Sequence, residues 1–296
     1  MKRYLNVDVP KAVKDLDFAL RKTVSRIVGR YSSIFKGRGL EFDSYRTYIP
    51  SRDDAQLIDW KASMRSNDLL VKEYIEERDL QIYFAIDISS TMVFGSTPKL
   101  KNEYALEFVA ALANVILKGG DRVGFILFND SIVKIIPAAQ GKRQFFILLK
   151  NLLNPEIYGG GYNLGKALRF MTSSLKGDIA VIVLISDFLG PRDWLVDLKT
   201  LNKKIETIGF MICDPRDRTL PADSLPIVLQ DPFSNKTEII DSSLIKEKYE
   251  KYAKQQEQEV MNAFTEAGSD LLKITTDKSF VTPLIGFFQK RAKNWR

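Results

Sequence analysis

Two short segments contain side chains that suit a hard metal ion. The segment DISST places one carboxylate and two hydroxyls at alternate positions, Asp87, Ser89 and Thr91, and the segment VIVLISD ends at a second carboxylate, Asp187. Two carboxylates, two hydroxyls and water molecules match octahedral coordination, with oxygens about 2.0–2.1 Å from Mg²⁺. The pattern therefore predicts a site for a hard cation such as Mg²⁺, Mn²⁺ or Ca²⁺. The alternative interpretation is that both aspartates cap helices and turns, as Asp often does.

A glycine-rich segment, GGGYNLGKA from Gly159 to Ala167, resembles a phosphate-binding loop in part. From Gly160 it reads G-x-x-x-x-G-K, but a true P-loop follows a buried strand and continues with Ser or Thr. Here a helical pattern and an Asn-Pro pair precede the glycines, and Ala167 has no hydroxyl for Mg²⁺. We therefore expect no nucleotide at this loop. We expect the glycines to let the backbone approach another group closely.

The composition excludes several kinds of chemistry. The 296 residues contain no histidine and one cysteine, Cys213. This excludes Ser-His and Cys-His nucleophile pairs, zinc sites of the Cys/His kind and a disulfide framework. The N-terminus shows no apolar signal segment, and the longest apolar run, at about 179–186, is far shorter than the roughly 18–20 residues that span a bilayer. We therefore expect a cytoplasmic protein without a transmembrane segment.

The elements that must position these residues alternate between strands and helices from Gln81 onward. Apolar runs predict strands at Gln81–Asp87, Arg122–Asn129, Ile132–Ile136, Ile179–Ser186, Glu206–Cys213 and 271–275, and helical patterns lie at about 102–118, 141–153, 164–175, 192–202 and 242–267. A hairpin candidate, IVLQDPFSNKTEII, precedes the long helix, and a basic helix ends the chain. This alternation predicts an α/β fold with an open, mostly parallel, doubly wound sheet. Ligands of such sheets gather where strands end, as they do at Asp87 and Asp187.

The basic charge is concentrated at the N-terminus. Residues 1–52 hold 12 Lys and Arg against 5 Asp and Glu, which accounts for the whole net charge of +7. Apolar residues at every third or fourth position predict an amphipathic helix at 10–31. Its basic face would suit nucleic acid, an acidic membrane surface or an acidic protein, and the alternative is a solvated helix face. The mixture of basic and aromatic residues that single-strand binders use is missing, which disfavours nucleic acid.

The order DISST, GGGYNLGKAL and LISD on an alternating α/β chain resembles the von Willebrand factor type A fold. The upstream block GRGLEFDSYRTYIPSRDDAQLIDWKASMRSNDLLVKEYIEERD, and CDPRDRTLP with the hairpin after it, are similar to the bacterial and archaeal family called domain of unknown function number fifty-eight. Together the matches cover about 36–290. The charge and periodicity of the N-terminal region predict a basic amphipathic helix at 1–35. The resemblance implies a β-containing signature block at 36–78 and a von Willebrand factor A-like domain at 79–296.

The resemblance also implies which residues would bind metal. The metal-ion-dependent adhesion site of this fold uses an Asp-x-Ser-x-Ser loop, a Thr on a second loop and an Asp on a third. Asp87, Ser89, Thr91 and Asp187 match these positions, with Thr91 in place of the second Ser. Tyr162 stands where the Thr of the second loop is expected. Its phenol oxygen lies several bonds further out than a threonine hydroxyl, so we expect a weakened or altered site for Mg²⁺ or Mn²⁺.

The function that the resemblance implies is protein interaction. Members of this family resemble accessory proteins that act beside MoxR-type AAA+ ATPases in remodelling or maturing other proteins. A non-catalytic adaptor would bind the ATPase or a client protein through a carboxylate that fills an open position on the metal. Two alternatives remain: a metal-dependent hydrolase that uses Asp87 and Asp187 to activate water, and a nucleic-acid or membrane-surface binder that uses the basic N-terminal region.

The signature block contains a second candidate surface. Its residues that could transfer a proton or bind a partner are Arg46, Asp53, Asp54, Asp59 and Trp60. The carboxylates would serve as a general acid/base pair or as a partner-binding site. The alternative is an ion-paired turn that docks the block on the sheet.

Overall fold

The chain divides into two compact units. The computed structural model describes residues 4–24, 41–50, 53–66, 68–75, 80–221 and 226–294. One unit combines Met1–Phe35 with Leu80–Arg296, and the other is Lys36–Asp79. The N-terminal helix thus belongs to the larger unit, and the signature block is a unit of its own.

From Gln81 onward, the helices and strands follow the order that the sequence predicts. The helices are α1 (Val9–Val24), α2 (Trp60–Ser66), α3 (Lys101–Lys118), α4 (Gly141–Leu152), α5 (Leu164–Ser174), α6 (Leu195–Lys204), α7 (Ser242–Glu266) and α8 (Val281–Asn294). The strands are β1 (Glu41–Thr47), β2 (Leu70–Ile75), β3 (Gln81–Asp87), β4 (Arg122–Phe128), β5 (Ile132–Ala139), β6 (Ile179–Ser186), β7 (Glu206–Cys213), β8 (Pro226–Gln230), β9 (Thr237–Asp241) and β10 (Asp270–Thr275).

A six-stranded sheet forms the centre of the larger unit. Its strands lie in the order β10-β7-β6-β3-β4-β5. All neighbours run parallel except β4 and β5, which are antiparallel. The short connection at 129–131 explains this exception, because a few residues can join antiparallel strands only. The predicted open, mostly parallel sheet is confirmed.

Helices cover both faces of this sheet. In β6, Val181 and Val183 belong to one core cluster and Ile182 and Leu184 to the other, because successive side chains of a strand point to opposite faces. Residues of α1, α3, α4 and α8 complete the first cluster, and residues of α5, α6 and α7 complete the second. The doubly wound arrangement is confirmed. Among the described residues, no helix has the length and apolar character needed to cross a membrane.

The apolar stripe of α1 is part of the core. Val9, Ala12 and Leu16 are buried in the same cluster as α3, and the Asp17 carboxylate forms an ion pair with Lys118 at the end of α3. The helix predicted at 10–31 is found over Val9–Val24, and residues 25–31 lie outside the described residues. Packing of α1 within the larger unit therefore accounts for its amphipathic pattern.

Two small antiparallel sheets complete the structure. In the smaller unit β1 pairs with β2, and α2 lies between them in the chain. In the larger unit β8 pairs with β9 and forms the predicted hairpin. Asp231 shapes the turn between β8 and β9 by accepting hydrogen bonds from the Phe233 amide (2.9 Å) and the Ser234 hydroxyl (2.5 Å).

Replacing Leu16 with Ala tests whether α1 is an integral part of the larger unit. Leu16 is 1% exposed, so its truncation leaves a cavity and should lower the free energy of unfolding by about 2–4 kcal/mol. Phe18→Ala on the same helix is the matched control, because Phe18 is 68% exposed and its loss should cost less than about 0.5 kcal/mol. Urea denaturation measures both. Equal effects of the two substitutions would show that α1 is not docked as described.

Candidate functional site

The two strand-terminal carboxylates lie at the same edge of the sheet. β3 ends at Asp87, and Asp187 directly follows β6. These two strands are parallel neighbours, with Ile86 beside Ile185 in the register. Both side chains are buried, with Asp87 fully enclosed. The edge where β3 and β6 end is called the polar edge below.

Hydrogen bonds join the four residues that the resemblance assigns to a metal. The Ser89 amide donates to Asp87 Oδ1 (2.8 Å), and the Ser89 and Thr91 hydroxyls are 3.0 Å apart. The Thr91 hydroxyl donates to Asp187 Oδ1 (3.2 Å). Ser186, which sequence reasoning did not single out, donates its hydroxyl to Asp87 Oδ2 (2.6 Å). The structure thus gathers Asp87, Ser89, Thr91 and Asp187 into one buried polar cluster.

The glycine-rich loop packs its backbone against the DISST loop. The Gly159 amide donates to the Ile88 carbonyl (2.8 Å), and the Ser90 amide donates to the Gly160 carbonyl (3.1 Å). Gly160 has a φ of 86°, and a Cβ atom there would lie 2.6 Å from Asn129 Nδ2. The positive φ favours glycine, and a larger side chain would also displace Asn129. The loop follows a helix and a 3₁₀ turn at Pro155–Ile157, so it lacks the strand that a P-loop requires.

Tyr162 fills the space between the glycine-rich loop and the loop after β6. Its ring packs on the backbone of Gly190, where a Cβ atom would overlap the ring. The phenol oxygen is buried and has no hydrogen-bond partner among the described residues. Burial, and then the nearby charge of Asp87, raises the pKa of Tyr162 well above its usual value. A neutral phenol therefore stands where the fold would otherwise offer a threonine hydroxyl.

A buried lysine, which sequence reasoning missed, contacts the cluster from the start of α3. The Lys101 ammonium lies 2.7 Å from Asp187 Oδ2 and 3.1 Å from both carboxylate oxygens of Asp217, and its side chain is 1% exposed. One signal was present in the sequence: a cation in the first turn of a helix faces the positive end of the helix dipole and is unfavourable there. Asp217 lies within CDPRDRTLP, where nothing indicated a contact with Lys101.

Burial dominates the electrostatics of the polar edge. Burial, and then the neighbouring charge of Asp187, raises the pKa of Asp87 to about 7. Burial also raises the pKa of Asp217, although the Lys101 ammonium opposes this effect. Asp87 therefore exchanges its proton near neutral pH, whereas an exposed aspartate would be ionised.

Some of the side-chain oxygens in the polar cluster are suitable ligands for a hard divalent ion, and others are not. Ser89, Thr91 and Asp87 offer the hydroxyl and carboxylate oxygens that Mg²⁺ and Mn²⁺ prefer. Asp187, however, already holds an ammonium on Oδ2, and Tyr162 replaces the hydroxyl of the second loop. In the described parts of the chain, no three Asp, Glu, His or Cys side chains cluster so as to hold a metal. An ion here would depend on neutral hydroxyls and would bind weakly.

An open groove begins at the polar edge. Its volume is about 560 Å³, and it is lined by the loop residues 189–192, by Pro232 and Phe233 of the β8–β9 hairpin, by Tyr252 and Gln256 of α7, and by Thr91. Phe233 is 45% exposed and Tyr252 is 59% exposed. Thr91 is buried in the polar cluster and also lines the groove, so the groove ends against the cluster.

The charged residues of the signature block stabilise one another. Arg46 forms two hydrogen bonds with the Asp53 carboxylate (2.5 and 2.6 Å). Asp59 begins α2 by accepting the Ala62 amide (3.1 Å), and it also pairs with Lys72.

Asp54 and Trp60 complete the candidate set of this block. Asp54 caps the turn at Ala55–Leu57 through the Gln56 amide (3.0 Å), while the indole of Trp60 is largely exposed. The structure thus places the three carboxylates in local capping and ion-pair roles, and leaves Trp60 available on the surface of its unit.

Tyr162 and Gly190 should depend on each other energetically. Gly190→Ala places a methyl group inside the Tyr162 ring and should destabilise the protein by about 1–3 kcal/mol. Tyr162→Thr in the same chain should remove most of this penalty, because the smaller side chain makes room. A denaturation double-mutant cycle measures the coupling. Gly286→Ala on α8 is the control, because nothing lies within 4 Å of a Cβ atom there. An equal Gly190→Ala penalty with and without the Tyr162→Thr substitution would refute the packing described.

The raised pKa of Asp87 predicts a pH-dependent stability. Between the ordinary aspartate pKa of about 4 and the folded value of about 7, the folded state binds more protons than the unfolded state, so stability falls as pH rises. Asp87→Asn lacks this proton. In EDTA, its unfolding free energy should therefore rise relative to wild type by roughly 2–4 kcal/mol between pH 4 and pH 8. Because the chain has no histidine, few groups obscure this window. Parallel pH profiles would contradict the assignment.

A family model and several relatives match this chain. The model of the family "Protein of unknown function DUF58" matches residues 44–259. "Uncharacterized protein Rv1480" of Mycobacterium tuberculosis is 25% identical over 308 residues, which cover 97% of this chain and 92% of that protein. "Uncharacterized protein Mb1516" of Mycobacterium bovis matches with the same figures.

Similar solved structures include proteins with von Willebrand factor A domains. The conserved hypothetical protein BatB from Bacteroides thetaiotaomicron has a TM-score of 0.49 and 16% identity, covering 72% of this chain and 99% of that chain. A von Willebrand factor type A protein from Catenulispora acidiphila has a TM-score of 0.38 and 10% identity, covering 76% and 45%. The family model covers well over half of the sequence, and the chain therefore belongs to the DUF58 family of proteins of unknown function.

Proposed function

We propose that this protein is a non-catalytic adaptor that binds a partner protein at the polar edge. The proposal is based on the position of Thr91, whose hydroxyl belongs to the buried cluster and which is also one of the residues that line the open groove. A partner segment in the groove would contact the exposed rings of Phe233 and Tyr252. Aromatic side chains of this kind often dominate the binding energy of protein interfaces.

The chemistry of the partner follows from the donor set. Ser89, Thr91, Asp87 and Asp187 would hold Mg²⁺ or Mn²⁺, which when bound supplies an open position for an Asp or Glu side chain of the partner. The hydroxyls of Ser89 and Thr91 are neutral, so they leave the positive charge of an ion available for that carboxylate. Affinity for the ion alone would be on the order of millimolar, as in the weaker protein sites for divalent cations. Ion and partner then strengthen each other's binding by the same factor.

A binding role has more support than a hydrolytic one. Both carboxylate oxygens of Asp87 already accept hydrogen bonds, from the Ser89 amide and the Ser186 hydroxyl. The Asp87 side chain is also fully enclosed, whereas a general base must lie within hydrogen-bond reach of the water that it activates. Burial raises the pKa of Cys213 to about 12, so this thiol is not a nucleophile at neutral pH.

A MoxR-type AAA+ ATPase, or a client protein of such an ATPase, is the partner that we propose. This choice rests on the family resemblance of the signature block and the DISST segment. The groove adds a physical basis, because an extended segment with one acidic side chain and neighbouring apolar residues would match its lining. The basic N-terminal helix has less support as a separate binding element, since its apolar stripe packs in the core.

Affinity capture of the tagged protein from its native cells tests this proposal. In 1 mM Mg²⁺, wild type should retain an AAA+ ATPase that mass spectrometry identifies, and EDTA should release it. Phe233→Asp should lower retention at least about tenfold, because it places a charge on an apolar contact of the groove. Val196→Asp is the control, since Val196 is 72% exposed on α6 and does not line the groove.

Three outcomes of this experiment would reject the adaptor assignment. They are capture of no ATPase, equal capture by Phe233→Asp, and equal capture in EDTA. Mg²⁺-dependent cleavage of a phosphomonoester or nucleic acid that disappears in Thr91→Val would favour the hydrolase alternative.

A further inference from the structure

The burial of Lys101 requires an explanation that helix formation does not provide. Lysine is rarely buried unless its charge is paired, and Lys101 begins α3, where the helix dipole disfavours a cation. Lys118, at the other end of the same helix, lies where the dipole favours a cation and is 55% exposed. Lys101 must therefore be held in place by interactions outside α3.

Those interactions come from the loops that follow three different strands. The ammonium donates to Asp187 Oδ2 (2.7 Å), on the loop after β6, and to Asp217 (3.1 Å to each oxygen), on the loop after β7. It also lies 5.5 Å from the centre of the Phe94 ring, on the loop after β3. An ammonium has three protons to donate, and these carboxylates accept them. One side chain therefore connects the loops that follow three neighbouring strands.

The charge of Lys101 matters because the polar edge is acidic and largely buried. Asp87 and Asp187 are buried, and the side chain of Asp217 is 12% exposed. Buried carboxylates repel one another and lose their hydration, so they need a nearby positive charge to remain ionised. Asp187 receives that charge from the ammonium on Oδ2 and is neutralised without a metal. The same ammonium weakens the attraction of Asp187 for a divalent cation.

We infer that Lys101 is a built-in cation that holds the loops of the polar edge together, so that the folded protein needs no divalent ion there. The inference goes beyond the proposed function, because it concerns how the edge is assembled and not what binds to it. It predicts that metal-free protein keeps the complete polar edge. It also predicts that removal of the ammonium creates a dependence on divalent ions that the wild type lacks.

Thermal unfolding of Lys101→Met in EDTA and in 1 mM Mg²⁺ or Mn²⁺ tests the inference. Wild type should melt within about 2 °C of the same temperature in both conditions, because weak binding at 1 mM stabilises little. Lys101→Met should melt roughly 6–20 °C lower in EDTA, since it leaves buried carboxylates unpaired. Either ion should restore a part of this loss. Lys118→Met is the matched control: it removes an ion-paired lysine from the same helix, and it should shift the melting temperature little in either condition.

A second variant keeps the test informative if Lys101→Met folds poorly. Lys101→Met with Asp187→Asn removes both members of the pair, so no unpaired carboxylate remains at Asp187, and it should melt above Lys101→Met alone. The inference is overturned by a wild type that loses more than about 3 °C in EDTA, or by Lys101→Met behaving like Lys118→Met. It is also overturned by a single variant that no divalent ion restores, or by a double variant no more stable than the single one. Loss of partner capture alone would leave these melting temperatures unchanged, so the two proposals fail separately.

Discussion

The parallel pairing of β3 with β6 is the constraint on which the polar edge depends. Because the strands run in the same direction and Ile86 lies beside Ile185, the residues that follow them leave the sheet together. Apolar side chains on both faces maintain this register. A slip of one residue would move every core side chain of a strand to the opposite face. The loops at the edge can therefore carry buried polar groups, since the cores on both sides hold the strands beneath them.

The negative charges of the two buried carboxylates of the polar edge are compensated in different ways. Asp87 accepts hydrogen bonds from an amide and a hydroxyl but contacts no cation among the described residues, and burial raises its pKa to about 7. Asp187 accepts a hydroxyl, the Leu189 amide (2.9 Å) and the Lys101 ammonium. The edge therefore contains one aspartate that shares its charge with a proton and one that is paired with a fixed positive charge. Two unpaired carboxylates in this volume would be far more costly.

The strands of the sheet could be predicted from the sequence, whereas several contacts at the polar edge could not. β3, β6 and β7 were predicted with the bounds that the structure shows, because a strand buried on both faces is a continuous apolar run between polar residues. Because both aspartates follow the ends of predicted parallel strands, the sequence also predicted that Asp87 and Asp187 lie at the same edge. The Lys101 contacts could not be predicted, because they join positions 86 and 116 residues apart and leave no local pattern. A tyrosine in place of threonine was visible at Tyr162, but its fit against Gly190 depends on how two distant loops approach each other.

A built-in cation and an exchangeable ion would perform separate tasks at the same edge. If Lys101 keeps the loops in place, a partner does not have to order them, and the entropy cost of association falls. Weak affinity for Mg²⁺ or Mn²⁺ is then compatible with function, because a partner carboxylate and the ion need only favour each other by about 1–3 kcal/mol, or roughly 5–150-fold, to bind together. An adaptor built in this way would stay folded between encounters and release its partner readily, which suits a protein that serves an ATPase cycle.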